Sequence, residues 1–271
     1  MILPSAGLTS APVAIVLSLA AAIAYALPAV SASAFKPETT RTIALTGWLL
    51  HALVLGLALF GGAPRFGFAP ALSVTAWLVA GVYAVESHLY PQLKTRWSLS
   101  GLGAVAVLLA LMFPGNLLSA NASLWLPLHW ALGIASYGMF GVAVVHGWFM
   151  TRNEQRIRVA DEPASPIPLL MLERLTFRFV ASGFVLLSAT LLVVLVFGEH
   201  LYGAQSAWRW DHKTVFSLLS WLTFAVLLIG RRRFGWRGPV AVRMLYIGTG
   251  FLLLAYVGSR FVLEVILGRV T

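Results

Sequence analysis

Apolar stretches of about twenty residues, the length a helix needs to cross a hydrocarbon core of about 30 Å, recur from one end of this sequence to the other. They fall near 11–33, 42–61, 69–87, 98–114, 126–150, 177–197, 214–230 and 243–267. None alternates with the two-residue period of a barrel strand, so in lipid the backbone can satisfy its own polar groups only by coiling into helices. The expectation is an all-α integral membrane protein, a bundle of eight transmembrane helices forming a single membrane domain over 1–271. Composition agrees, because only 10% of residues are charged and 59% are hydrophobic, whereas a soluble domain devotes about a quarter to charge. The small residues of "AVSASAF" at the end of the first run resemble a signal-peptide cleavage site. Residues 1–10 carry no Lys or Arg, and the run is longer than a signal core, so a retained helix is expected.

Basic residues orient the bundle. When alternate loops are assigned to opposite sides, only Arg65, Arg209, Lys213, Arg260 and Arg269 of the 19 Lys and Arg fall on one side. The crowded side is the cytoplasm by the positive-inside rule, which makes both termini extracytoplasmic. The net charge of +10 is scattered over short loops rather than gathered on one face, so anionic lipids and topology account for it and nucleic acid is not an expected partner. Residues 151–176 mix both signs and break at prolines, which reads as a cytoplasmic linker followed by a surface helix.

Cysteine is absent, which excludes disulfides, iron–sulfur clusters and thiolate metal sites. No nucleophile–base pair, paired carboxylates or nucleotide loop is present, so no enzyme activity is expected. Histidines within apolar runs remain, since an ionisable side chain in a bilayer needs a partner or a ligand. His51 lies mid-way along the second run, either as a ligand or as a neutral imidazole bonded to a neighbouring helix. His129 opens "LHWALGIASYGMF" and shares a helical face with Gly133, Ser136 and Tyr137, small and polar residues that admit a flat ligand or a closely packed helix. His88 ends the third run, His146 lies deeper on the helix of His129, and His200 and His212 fall in one outer loop.

That loop ends in "AWRWDHKTVFSLLSW", with Trp208, Arg209, Trp210, Asp211, His212 and Lys213 crowded ahead of an apolar run. Tryptophans there could be interfacial belt anchors. Asp211, however, can cap the helix that follows, which would hold the indoles as a shelf for a planar aromatic ligand.

"WRWDHKTVFSLLSWLTFAVLL" resembles the tryptophan-rich "WWD" signature of the haem-handling cytochrome c assembly family, and "LHWALGIASYGMF" resembles that family's histidine-bearing helix. "GWLLHALVL", "FGFAPALSVTAW", "LMFPG", "LERLTFRFV" and "LAYVGSRFV" resemble its smaller eight-helix branch, called HemX-like or YpjD-like. The resemblance implies non-covalent haem b at the extracytoplasmic side of a bacterial inner membrane. It places His129 as an axial ligand and Tyr137 in the Ser-Tyr pair, with an assembly factor or apocytochrome as partner. The family's usual Pro after "WD" is replaced by His212, and no histidine follows it, so a second axial ligand copied from the larger members is missing. Two axial histidines need similar depth in the membrane, which ranks His129 with His212 first and His129 with His51 second, with His200, a non-histidine group or no second ligand as further options. Trp208 and Trp210 would cover the porphyrin, and Arg209, Lys213 or Arg260 would pair with propionates. Two other functions fit the same features: a membrane scaffold or regulator of tetrapyrrole synthesis or oxidase assembly that holds no haem, and a small-molecule or ion transporter using His51.

Overall fold

The computed structural model describes residues 10–31, 34–60, 65–89, 99–117, 125–159, 169–202 and 211–266. Eight helices are seen among them: α1 (Ser10–Ser31), α2 (Pro37–Phe60), α3 (Phe68–Leu89), α4 (Ser100–Met112), α5 (Trp125–Val159), α6 (Leu169–Tyr202), α7 (His212–Phe234) and α8 (Gly238–Leu253). α8 runs on through two π-helical turns, Leu254–Gly258 and Val262–Ile266, separated by Ser259–Phe261. Seven of the helices are long and apolar enough to cross a membrane.

α4 is the exception. Its 13 residues rise about 20 Å at 1.5 Å per residue, short of a hydrocarbon core. The apolar run at 98–114 stops early because the chain leaves the helix at Phe113 and pairs Asn116–Leu117 (β2) antiparallel with Arg65–Phe66 (β1). Gly115 enters that pairing at φ +76 against the Phe66 backbone, a position no Cβ could share. The helices flanking the fifth loop are in turn longer than the hydropathy suggests. α5 continues through Thr151–Val159 and α6 begins at Leu169, so the segment expected as linker and surface helix is largely the ends of two long helices, with 160–168 outside the described residues.

The chain divides into two compact units, one of residues 1–85, 94–120 and 260–271, the other of 86–93 and 121–259. In the first, Tyr25 of α1 is buried against α4, where Gly103 leaves room for its ring, and Ala21, Ala104 and Val107 complete the cluster. α2 and α3 are clasped by Trp48 and Trp77, whose rings stack at 4.8 Å and whose indole N–H groups each donate to the other residue's carbonyl, at 3.0 and 3.1 Å. The second unit closes around a stack of Phe140 (α5) on Phe224 (α7), with centroids 3.8 Å apart and planes 5° from parallel. Gly183 of α6 faces the Phe140 ring and Gly248 of α8 faces the Phe224 ring, where added Cβ atoms would stand 2.9 Å from ring carbons. Four helices thus meet at one level because two supply phenyl rings and two supply no side chain.

Candidate functional site

At the start of α5, Trp125 stacks on Phe197 of α6 with centroids 3.8 Å apart. His129, one turn further in, lies against the backbone of Thr190 of α6. Gly133 keeps the two helices close there, its Cβ position being 3.7 Å from Thr190. The Nδ1 atom of His129 is buried and has no hydrogen-bond partner among the described residues. Ser136 is fully buried and its hydroxyl donates to the Gly133 carbonyl at 2.7 Å, so it serves its own helix. Tyr137 reaches across to α8, donating to the carbonyl of Leu252 just before the helix widens into its first π turn. Such turns loosen the regular backbone ladder and recur at functional sites.

Asp211 caps α7: its carboxylate accepts from the Thr214 amide at 2.9 Å and the Thr214 hydroxyl at 3.0 Å. Partial burial raises its carboxyl, but the two Thr214 bonds with Lys213 and His212 outweigh that and hold it below the usual carboxylate range. His212, the first residue of α7, is exposed, and Lys213 beside it is half-buried. Trp208, Arg209 and Trp210, the core of the expected shelf, lie outside the described residues, as do the side chains of His88 and His200. Among the described residues no hydrogen bond or ring contact joins His129 to His212.

The first unit holds His51 and Arg260. His51 is fully buried: Nε2 shares a hydrogen bond of 2.7 Å with Ser73 Oγ, and the Tyr25 hydroxyl, at 3.4 Å, faces Nδ1 with its ring edge-on to the imidazole. Both ring nitrogens are therefore occupied by neighbouring helices. That is the arrangement expected of a structural imidazole rather than of a ligand. Arg260 is half-buried in the short turn between the π segments.

Two buried acids were not foreseen from the sequence. Glu86, at the end of the third apolar span, accepts from His146 Nε2–H at 2.9 Å, both side chains being nearly closed to solvent. Glu173 of α6 pairs with Arg231 of α7 and lies 3.5 Å from Arg237 Nε. The signal for the first was available, since Glu86 is an acid inside an apolar run and demands a partner. The partner, 60 residues away in the chain, was not.

Residues 37–267 match the family model described as "Cytochrome C assembly protein". The chain is 29% identical over 177 residues to the cytochrome c biogenesis protein CcsA of Prochlorococcus marinus subsp. pastoris, covering 65% of this chain and 54% of that one. It is 30% identical over 141 residues to the inner membrane protein YpjD of Escherichia coli K12, covering 51% and 52% respectively. It is also 27% identical over 212 residues to a protein of Azospirillum brasilense named "Uncharacterized 28.8 kDa protein in nifR3-like 5'region", covering 73% and 76%. Against the CcsA proteins that it matches, the chain spans about half their length.

Proposed function

Because the chain belongs to the cytochrome c assembly protein family, we propose that it is a multi-pass inner-membrane protein that holds haem b non-covalently at its extracytoplasmic side and hands it on for cytochrome or haem-protein assembly. The observation that carries this reading is His129. A buried imidazole nitrogen without a hydrogen-bond partner is costly in a membrane helix, and a ring with a nitrogen not committed to the protein fits an iron ligand. His51, with both nitrogens engaged, fits poorly. His212, exposed and set by the Asp211 cap, would be the second residue to hold the haem in this reading. Trp208 and Trp210 provide apolar cover, and Arg209 and Lys213 pair with carboxylates of the bound group. Haem supplies the redox-active iron; the protein's part is to bind, orient and release. No turnover by the protein's own side chains is part of the proposal.

The test is spectral. Protein purified after haem-replete expression should show a Soret band and a pyridine haemochrome of type b. His129→Ala should shift the spectrum away from six-coordinate low spin or abolish it, and added imidazole should partly restore it. Thr223→Val, whose hydroxyl bonds only the Leu219 carbonyl of its own helix, is the control and should leave the spectrum unchanged. A wild-type low-spin spectrum in His129→Ala at full occupancy would sink the ligand assignment. A colourless wild-type preparation would favour a scaffold without haem.

A further inference from the structure

The turn joining α7 to α8 carries more positive charge than the described residues neutralise. α7 ends on Arg231, Arg232, Arg233 and Phe234, Arg237 is the N-cap of α8, and Arg243 follows in α8 itself. Among the described residues only part of this charge is neutralised. Arg231 binds the Glu173 carboxylate, lies 4.5 Å over the ring of Phe177 and donates to the Trp236 carbonyl at 3.3 Å. Sitting in the last turn of α7, it also supplies the cation that the helix dipole favours there. Arg237 reaches Glu173 only through Nε at 3.5 Å and is 63% exposed. Arg232, Arg233 and Arg243 are exposed and form no ion pair among the described residues. Glu154 of α5 also stands at this turn, its Oε1 being 3.6 Å from where a Cβ on Gly238 would lie. Among the described residues the arginines at this turn therefore outnumber the acids, Glu154 and Glu173.

The turn is also held in one shape. The Trp236 ring fills the place a side chain at Gly230 would take, and Gly235 and Gly238 turn the backbone at φ +66 and +54. The arginines are therefore presented from a fixed root rather than from a loose loop. Beside them Phe234 is 75% exposed and Val240 49% exposed. At the start of α8 the N-cap residue Arg237 offers the amides no side-chain cap, and no acid lies in the first turn. The turn joins two helices that are each long and apolar enough to cross a membrane, a placement that would set it at headgroup level.

We propose that the α7–α8 turn is a binding site for the phosphate of an anionic phospholipid, held by Arg232, Arg233 and Arg237, with Phe234 set among the acyl chains. Guanidinium groups pair with phosphate oxygens through forked, charge-assisted hydrogen bonds. Phe234 selects a lipid over a free anion because only a lipid brings apolar chains to cover it. This inference stands apart from the haem reading, and neither depends on the other.

The full chain in neutral detergent is titrated with phosphatidylglycerol, phosphatidylcholine or inorganic phosphate, and bound lipid is read by native mass spectrometry beside the thermal midpoint. Phosphatidylglycerol should be retained and raise the midpoint, while the other two should do neither. Arg232→Gln with Arg233→Gln should weaken phosphatidylglycerol binding about 30-fold, each arginine near the surface contributing about fivefold. Arg232→Lys with Arg233→Lys, which keeps the charge and loses the fork, should bind more weakly than wild type but more tightly than the Gln pair, which separates lost charge from lost fold. Arg152→Gln, a basic residue whose guanidinium packs 5.0 Å over Trp148, should bind like wild type. Equal retention of both lipids, or wild-type binding by the Gln pair, would overturn the proposal. Equal protection by inorganic phosphate would also overturn it, by showing a free-anion site.

Discussion

A carboxylate shut away from water inside a membrane protein needs a partner to offset its desolvation, and for Glu86 that partner is His146. The pair meets through one atom each, Oε2 and Nε2, leaving Glu86 Oε1 and His146 Nδ1 buried without partners among the described residues. Removing one member strands the other, so His146→Ala should destabilise the protein by about 3 kcal/mol, whereas replacing both with Leu should recover most of that loss. Denaturant titration in detergent measures both; equal losses in the single and double variants would show that the pair is not coupled. The contrast between histidines shows what sequence can carry. That His51 and His129 needed explaining was legible from their place in apolar runs. Which of them is satisfied was not, because Ser73 and Tyr25 reach His51 from other helices, and no local pattern encodes that.

Helices were legible as membrane crossings but less so as helices. Hydropathy marks where lipid begins and ends, so it missed the continuation of α5 over residues such as Arg152 and Gln155, which are good helix formers outside lipid. It also overran α4, where a two-residue strand pairing formed at a distance ends the helix. The Asp211 cap was readable because its signal is local, an acid three residues before the amide it accepts from. The packing of α5 to α8 was not, since the Phe140–Phe224 stack and its two glycines come from four separate runs. Phe224 is fully buried against Phe140 and has nowhere to retreat. Gly248→Ala should therefore cost about 1–3 kcal/mol, and Phe224→Leu in the same chain should cost less than it does alone. Strict additivity in that double-mutant cycle would mean that the stack does not set the spacing of α7 and α8.

At the scale of the whole molecule the open matter is parity. With α4 crossing, eight passes return the chain to the side on which it began; without it, seven passes leave the ends on opposite sides. The distribution of basic residues favours eight, because Lys94 and Arg96 precede α4 while the stretch from 115 to 124 carries no charge at all. A short helix can be accommodated by local thinning of the bilayer at modest cost, and α4 packs on α1 and α2 within its own unit rather than standing alone in lipid. Alkaline phosphatase, active only outside the cytoplasm, reports each side when fused at successive points. Fusions near 205, near 120 and at Thr271 should be active, and fusions near 94 and near 163 should be inactive. Activity near 163 with none near 205 would invert the whole assignment and put the Trp208–Lys213 segment in the cytoplasm, away from the proposed haem side. Fusions near 94 and 120 that agree with each other would instead show that α4 does not cross, moving the N-terminal end to the cytoplasm while leaving α5 to α8, and with them His129 and His212, facing as before.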